Sequence, residues 1–479
     1  MVNRMFARIA LISLPLLAIA PGASAALHYT VELSDDARRL SVSMCTDRPL
    51  DAGTLRTGSQ RARLVSLRGD GSSRPDQRGD RIVHDRLGAG QCVQYSVDSR
   101  AAAESDRYRL GWRANQYLML KLTDWLWRPS EIPASSTVTL HLPKGWSASV
   151  PWPPMDRSGR RYSLPDTPRG WNGYTAFGRF EERRMTLPGG QLRVSVLPAA
   201  NARQTEQLHA WMALNVRAVL TSSGRLPLPD AQVLVVPLPG NRSPTPWGQV
   251  SRGGGSALRL FAGLDAPESV RNEDWTLSHE LAHLFHPYLG DSGRWMSEGL
   301  ASYYQNVLRA RSGILTAERA WSKLDAGFGR GLNERSTRGQ RLVDVASGYR
   351  GTMRVYWSGA AYWLEADAAL REHHGTTLDA VLADFARRHL PAYSRWQAAQ
   401  FADELDRLAG TRLFAPLYER YARSTRFPDL TDTYQRLGLG SGVDRLRLRD
   451  RAPALAVREA IMTASPSVSL ASTRRRDDG

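Results

Sequence analysis

The chain carries the stretch His279-Glu280-Leu281-Ala282-His283, followed by Trp295-Met296-Ser297-Glu298-Gly299-Leu300-Ala301. Histidines four residues apart on a helix project from the same face, about 6 Å from each other, so both can bind one metal ion. Glu280, between them, points to one side, where it can hold a water molecule at the metal. Glu298 can supply a third ligand and leave zinc one open position, as in hydrolytic zinc sites. The spacing therefore predicts a catalytic centre with one zinc ion.

The flanking residues favour two helices for this motif. Leu281, Ala282, Leu284 and Phe285 give the first helix an apolar body, and the stretch from Pro287 to Gly290 predicts its end within a turn or two. The spacing of apolar residues predicts a second helix from Glu298 to about Ala310. The alternative is a surface helix that carries two histidines and a glutamate by chance.

Residues 1–25 have the pattern of a secretory signal peptide. Arg4 and Arg8 form the basic end, Ile9 to Ala20 is a short apolar core, and Ala23-Ser24-Ala25 is a cleavage site of small residues. An uncleaved N-terminal anchor is the alternative reading. No other stretch is long and apolar enough to span a bilayer. We therefore expect an exported protein, periplasmic or secreted, with no integral membrane span.

The chain is strongly basic, with a formal net charge of +17. Most of this charge comes from arginine, since Lys121, Lys144 and Lys323 are the only lysines. The arginines are scattered over every segment rather than gathered in one stripe with aromatic residues, which argues against nucleic acid as a partner. A solvated basic surface, able to rest against anionic envelope polymers, is the simpler interpretation.

Cys45 and Cys92 are the only cysteines. Both lie in strand-like segments of one expected domain, so we predict that they pair in an oxidising compartment; the alternative is two buried thiols. Neither lies near the zinc motif in sequence, and neither is predicted to be a ligand.

Changes of hydrophobic period divide the chain. After the signal peptide, short alternating runs separated by turns predict an N-terminal antiparallel β-domain over 26–200. Residues 201–312, with a helix, two strands around a loop from Pro237 to Gly255, and the two motif helices, predict a mixed α/β catalytic domain. Residues 313–445 are mostly helical in pattern, and 446–479 lose pattern and predict a loose tail.

Three segments resemble one known family. They are Ser278–His283, the pattern Trp295-x-x-Glu298-Gly299-Leu300-Ala301-x-Tyr303-Tyr304, and Tyr356-x-x-Gly359-Ala360-Ala361. They are similar to the gluzincin zinc peptidases, and among these to the glycyl aminopeptidase family, without the PDZ module common at the C-terminus of that family. The resemblance implies an α+β fold in which a β-domain precedes a thermolysin-like zinc-peptidase domain and a helical C-terminal part.

The resemblance also implies roles for five residues. His279, His283 and Glu298 would bind zinc, and Glu280 would be the general base. Tyr356 matches a tyrosine that such enzymes aim at the reacting carbonyl; a core tyrosine is the alternative.

The expected activity is therefore hydrolysis of peptide bonds in peptide or protein substrates by zinc-activated water. The alternatives are a catalytically silent scaffold that binds peptides or envelope polymers, and a basic surface protein whose helix pair holds structural zinc. The sequence leaves the oligomeric state open.

The chain also departs from the family pattern. The segment 253–257, expected to line the substrate cleft, lacks the acidic residue that many relatives use to bind a free amino terminus, and Asp265 is distant. We therefore expect aminopeptidase-like chemistry and leave endopeptidase action open. Ser302 stands where a carboxylate could support a zinc histidine, so that support must come from elsewhere. His286 is expected to lie on an adjacent face rather than to bind the metal.

Overall fold

The structure is a computed structural model that describes residues 25–464, except 57–63, 72, 105–110, 114–115, 134, 167–171 and 442–445. Nearly all of the expected signal peptide and the last part of the expected tail lie outside the described residues. The fold is mixed α+β, with β-sheets first and helices towards the C-terminus, as the sequence predicts. Among the described residues, no helix combines the length and apolar character needed to cross a bilayer.

The N-terminal half consists mainly of short strands. They are β1 (Leu27–Leu33), β2 (Arg39–Thr46), β3 (Gly53–Arg56), β4 (Leu64–Gly69), β5 (Asp76–Arg78), β6 (Arg81–His84), β7 (Cys92–Asp98), β8 (Trp112–Arg113), β9 (Tyr117–Lys121), β10 (Thr137–His141), β11 (Ser147–Ser149), β12 (Arg161–Ser163) and β13 (Tyr174–Gly178). The helix α1 (Ser99–Glu104) and a 3₁₀ turn (Leu122–Asp124) interrupt them. The strands form sheets with the orders β12-β10-β1-β2-β7-β4, β11-β13-β9-β8 and β3-β6-β5.

One pair departs from the expected antiparallel arrangement. Strands β1 and β10 are parallel, with His28 opposite Thr137. A parallel neighbour needs a long connection, and the residues between these strands provide one. Because this connection contains the sheet of β3, β5 and β6 and two strands of another sheet, β8 and β9, local alternation along the chain could not reveal the pairing.

The two cysteines form a disulfide between neighbouring strands. Cys45 on β2 and Cys92 on β7 are directly opposite each other, with their Cα atoms 4.0 Å apart. The predicted pairing is therefore present. Trp125, Trp127 and Trp152 are fully buried in the core of these sheets, whereas Trp146 is only partly buried.

The second large sheet packs against the helix that contains His279 and Glu280. Its strands are β14 (Glu182–Leu187), β15 (Gly190–Val196), β16 (Asp230–Leu238), β17 (Trp247–Ser251) and β18 (Ala257–Gly263), in the order β14-β15-β16-β18-β17. The helix α2 (Ala202–Leu220) connects β15 to β16, which lie parallel. The sequence assigned 182–196 to the N-terminal domain, but β14 and β15 belong to this sheet. The hairpin of β14 and β15 has the same local pattern as the earlier strands. Only the pairing of β15 with β16 shows to which sheet the hairpin belongs.

The loop expected from Pro237 to Gly255 contains the edge strand β17. It runs antiparallel to β18, with Gly248 opposite Leu260. Its residues are mostly half-buried and include a glycine and a glutamine, so its alternation is weak. The ladder with β18, rather than the side-chain pattern of β17, defines this strand.

The remaining chain is largely helical. It contains α3 (Glu268–Asn272), α4 (Thr276–Ala282), a 3₁₀ turn (His283–Phe285), α5 (Arg294–Arg311), α6 (Ala317–Asn333), α7 (Leu342–Ala346), α8 (Thr352–His373), α9 (Leu378–His389), α10 (Ala398–Ala409), α11 (Phe414–Ala422) and α12 (Thr431–Leu437). The hairpin β19 (Leu439–Ser441) and β20 (Leu446–Leu448) and the helix α13 (Leu455–Met462) follow. The segment from 446 was expected to be loose, but Ile461 of α13 is fully buried and Arg458 donates to the carbonyl of Arg449 (2.8 Å). Eight residues are too few for a clear period, so packing defines this helix.

The helices α5 and α8 cross with almost no space between their backbones. A Cβ atom on Gly359 would overlap the carbonyl oxygen of Trp295, and one on Gly299 would overlap the backbone of Gly359. Glycine at both positions therefore allows the close crossing. Glu298 lies next to Gly299, and Tyr356 lies one turn before Gly359, so the crossing sets the separation of these two side chains.

Candidate metal centre

His279, Glu280 and His283 lie at the end of a short buried helix. Its α-helical part covers Thr276–Ala282, and a 3₁₀ turn begins at His283. Pro287 shortly beyond cannot continue a helix, and a 3₁₀ turn is a common way to end one. The two imidazole rings remain on one face, with centroids 5.0 Å apart and planes nearly perpendicular.

Glu298 approaches both histidines from the next helix. Its Oε2 atom lies 3.2 Å from Nε2 of His279 and 3.5 Å from Nε2 of His283. The helix α5 starts at Arg294, one turn earlier than the sequence predicts, so Glu298 lies within the helix rather than at its start. Trp295 and Met296 are fully buried, and their packing accounts for the extra turn.

These separations fit a zinc ion. Each of the three residues offers one ligand atom, and all three atoms lie within 4.8 Å of one another. Zinc–nitrogen and zinc–oxygen bonds of about 2.0–2.2 Å in tetrahedral geometry require ligand atoms about 3.3–3.6 Å apart. The two distances to Glu298 are close to this value, so the donor set and its spacing suit zinc with a fourth position open.

Gln305 supports one of the histidines. Its Oε1 atom lies 2.8 Å from Nδ1 of His279, which directs Nε2 towards Glu298. Ser302 is buried but does not support a zinc histidine. Gln305 provides the support that the sequence predicts to come from another residue. Sequence reasoning did not identify Gln305; the available signal is its position seven residues after Glu298, on the same helix face.

His283 has neighbours on the side away from Glu298. Its Nδ1 atom lies 3.2 Å from Oγ of Ser297 and 3.4 Å from Nε2 of His286. His286 thus faces the back of His283 and not the ligand cluster, as expected. Burial and the nearby Arg252 guanidinium hold the pKa of His286 well below its usual value. A neutral imidazole at this position can exchange a hydrogen bond with His283 without adding charge.

Glu280 is enclosed beside the edge strand β17. The backbone N–H of Val250 donates to its carboxylate, and a Cβ atom on Gly248 would lie only 2.9 Å from its Cγ atom. Burial raises the pKa of Glu280, against the opposing effect of His283 and His279. The strand beside this carboxylate is therefore β17, and not the segment 253–257 that the sequence favoured.

The pKa of Glu298 shifts in the opposite direction to that of Glu280. Burial disfavours its charge, but His283 and His279 outweigh burial and hold its pKa well below the usual value. The pKa of His279 is raised in turn, because its contacts with Glu298 outweigh its own burial. The Glu298 carboxylate is therefore ionised.

Tyr356 reaches the centre from α8. Its ring stacks on His279, with centroids 5.9 Å apart and planes 10° apart. Its hydroxyl donates to the Glu298 carboxylate, and burial, followed by the charge of Glu298, raises its pKa. The phenol therefore stays protonated, and it can act as a hydrogen-bond donor beside the ligand cluster. Trp275 flanks His279 edge-on, with centroids 5.4 Å apart.

Part of the chain matches a protein-family model. A family model described as M61 glycyl aminopeptidase matches residues 285–364, a segment that contains Glu298 and Tyr356 but begins just after His283. No curated protein sequence matches the chain.

The fold is similar to solved structures of two bacterial proteins. One is an aminopeptidase N family protein from Idiomarina loihiensis, with a TM-score of 0.64 and 14% identity over 86% of this chain and 78% of that one. Another is an M1 zinc metallopeptidase from Deinococcus radiodurans, with a TM-score of 0.51 and 16% identity over 85% of this chain and 94% of that one. At these sequence identities the structural similarity shows a shared fold. The family-model match and this shared fold together support a gluzincin-like peptidase, as the sequence motifs predict.

Proposed function

We propose that this chain is an exported zinc-dependent peptidase that hydrolyses peptide bonds by zinc-activated water. His279, His283 and Glu298 are the proposed ligands of one zinc ion, and Glu280 is the proposed general base. The observation that carries this proposal is the approach of Glu298 to Nε2 of both histidines, at 3.2 and 3.5 Å, with the buried carboxylate of Glu280 alongside.

Zinc bound at this centre would act as a Lewis acid that makes water acidic near neutral pH and polarises a carbonyl group. The chain supplies the proton transfers. The Glu280 carboxylate accepts a proton from the attacking water and passes it to the leaving nitrogen, and its raised pKa suits both steps. The Val250 N–H and the close approach of Gly248 hold that carboxylate in one position.

Tyr356 is proposed to stabilise the charge that develops on the substrate carbonyl oxygen. Its hydroxyl is held near the cluster by ring stacking on His279. A donor that is already oriented needs little rearrangement during the reaction, and for this reason such donors contribute strongly to rate.

Export is proposed from two features. Residues 1–25 have the pattern of a signal peptide, and the Cys45–Cys92 disulfide fits an oxidising compartment such as the periplasm or the medium.

The test is digestion of a defined peptide mixture by the zinc-loaded protein, with the cut positions identified by mass spectrometry. Glu280→Gln should retain zinc and lose activity by at least about a hundredfold. Glu318→Gln is the matched control, because Glu318 is exposed on α6. Full hydrolysis by Glu280→Gln would disprove the general-base assignment. A zinc-loaded native protein that cuts no peptide would instead favour the silent scaffold.

A further inference from the structure

A cavity of about 530 Å³ adjoins the metal centre on the His279 side. Three of its lining residues are Trp275, Gln305 and Tyr356, and each of them contacts His279. A group bound in this cavity therefore lies beside the proposed catalytic centre. Cavities of several hundred Å³ are typical of small-ligand sites.

The wall of this cavity away from His279 is basic. Four cationic side chains from α5 and α6 line it: Arg309, Arg319, Lys323 and Arg330. Glu273 neutralises only Arg319 directly, through two hydrogen bonds of 2.7 and 3.3 Å. The buried Arg309 donates to the backbone carbonyl of the same Glu273. The cavity thus carries more positive than negative charge.

The two remaining cations are Lys323 and Arg330. In the part of the chain that the structure describes, neither Lys323 nor Arg330 forms an ion pair. Arg330 lies over the ring of Trp357, with its guanidinium carbon 4.8 Å from the ring centroid. Lys323, one of only three lysines in the chain, is half-buried between the arginines.

The neighbouring positive charges affect the pKa of Lys323. Burial, followed by the charges of Arg309 and Arg319, lowers its pKa. Burial also lowers the pKa of Arg309, to about 10. An anion that entered beside the half-buried Lys323 would offset this repulsion, and the positive charge of the cavity attracts one.

We propose that this cavity binds a carboxylate carried by the peptide substrate, with Lys323 as the main anion-binding group and Arg330 beside it. This inference rests on the proposed function, because the cavity adjoins the centre where the peptide bond would be cut. The carboxylate belongs either to an Asp or Glu side chain or to the C-terminus of a short peptide. Both present the same charge and the same acceptor oxygens to Lys323.

The experiment compares kcat/KM for matched peptides. Each peptide is made with Glu or Gln at positions around the scissile bond, and each with a free or an amidated C-terminus. We expect the native enzyme to prefer the acid by roughly tenfold to a hundredfold, the range for one charged hydrogen bond. A preference for Glu over Gln identifies a side chain as the source, and a preference for the free over the amidated terminus identifies the C-terminus.

The variants assign the effect to the cavity. Lys323→Gln should bring the acid-to-amide ratio close to one, and Lys323→Glu should reverse it. Lys144→Gln removes the same charge at an exposed position of the N-terminal half and should leave the ratio unchanged. Melting temperature and zinc content of each variant confirm that it is folded.

The outcomes separate this inference from the proposed function. Peptide hydrolysis with no preference between acid and amide, or a preference that Lys323→Gln retains, overturns the inference alone. If the native enzyme cuts no peptide, the proposed function fails, and calorimetric titration of the zinc-loaded protein with the Glu and Gln peptides then decides the inference. Equal affinities overturn it, and tighter binding of the Glu peptide supports it.

Discussion

Two glutamates of the candidate centre, the buried Glu280 and the half-buried Glu298, have opposite pKa shifts. Burial dominates at Glu280 and raises its pKa, whereas His279 and His283 outweigh burial at Glu298 and lower its pKa. Carboxylates whose environments separate their pKa values in this way suit different roles. The ionised Glu298 suits a ligand, and Glu280 suits a group that accepts and returns a proton.

A prediction at the scale of single residues concerns Tyr356. Tyr356→Phe keeps the ring that stacks on His279 and removes only the hydroxyl donor. We expect kcat to fall by about a hundredfold, with little change in KM or zinc content, because the donor acts on charge that develops during the reaction. Steady-state kinetics and metal analysis measure these quantities. An unchanged kcat would leave Tyr356 as a packing residue.

Gln305 allows a second prediction at this scale. Gln305→Leu removes the acceptor at Nδ1 of His279 and should weaken zinc binding by about tenfold to a hundredfold. Gln305→Glu, which restores an acceptor at the same place, should recover most of the affinity. Competition with a chelator of known affinity measures both variants. Equal zinc affinity of the Leu variant and the native chain would contradict the role of Gln305.

At the scale of secondary structure, the crossing of α5 and α8 holds the centre together. Gly359→Ala would force these helices apart, since its Cβ atom would meet the Trp295 carbonyl. We expect a loss of at least about 2 kcal/mol in stability and weaker zinc binding, because Glu298 moves with α5. Urea unfolding and metal titration measure the two effects.

Gly329→Ala is the control for this prediction. Gly329 lies within α6, and a Cβ atom there would have no neighbour within 4 Å. Alanine should therefore stabilise the helix by up to about 1 kcal/mol. If Gly359→Ala behaved like this control, the close crossing of α5 and α8 would not contribute to stability or zinc binding.

The sequence was most informative where a chemical motif coincided with a helical period. The spacing of His279 and His283 and the apolar face after Glu298 predict the centre and both of its helices. The position of Gln305, seven residues after Glu298, indicates only that both lie on the same helix face, because its contact with His279 also depends on the angle between α4 and α5. The sequence of β17 likewise does not predict a strand, because the strand is defined by its hydrogen bonds with β18 rather than by its own side-chain pattern.

At the scale of the whole molecule, the disulfide and the metal centre lie in different layers. Cys45 and Cys92 join β2 and β7 of the six-stranded sheet, whereas the proposed ligands lie on helices that follow the second large sheet in the chain. The chain-entropy model assigns about 4 kcal/mol to a disulfide that closes a loop of 47 residues.

Reduction should therefore destabilise the protein without removing its metal. We expect a phosphine reductant, chosen because thiols bind zinc, to lower the thermal unfolding midpoint while zinc content stays constant. The double variant Cys45→Ser/Cys92→Ser should unfold at the same lower temperature and be insensitive to reductant. An unchanged midpoint on reduction would show that the disulfide adds no stability.

We infer that His279, His283 and Glu298 together hold one zinc ion. Zinc per chain is best measured by atomic spectroscopy after reconstitution and removal of free metal, for the native protein and for alanine variants at these positions. The exposed His374→Ala serves as control. We predict one zinc per chain in the native protein and the control, and a large loss in each of the three ligand variants. A native chain that stays metal-free, or ligand variants that retain a full zinc ion, would show that these three residues do not form a zinc site.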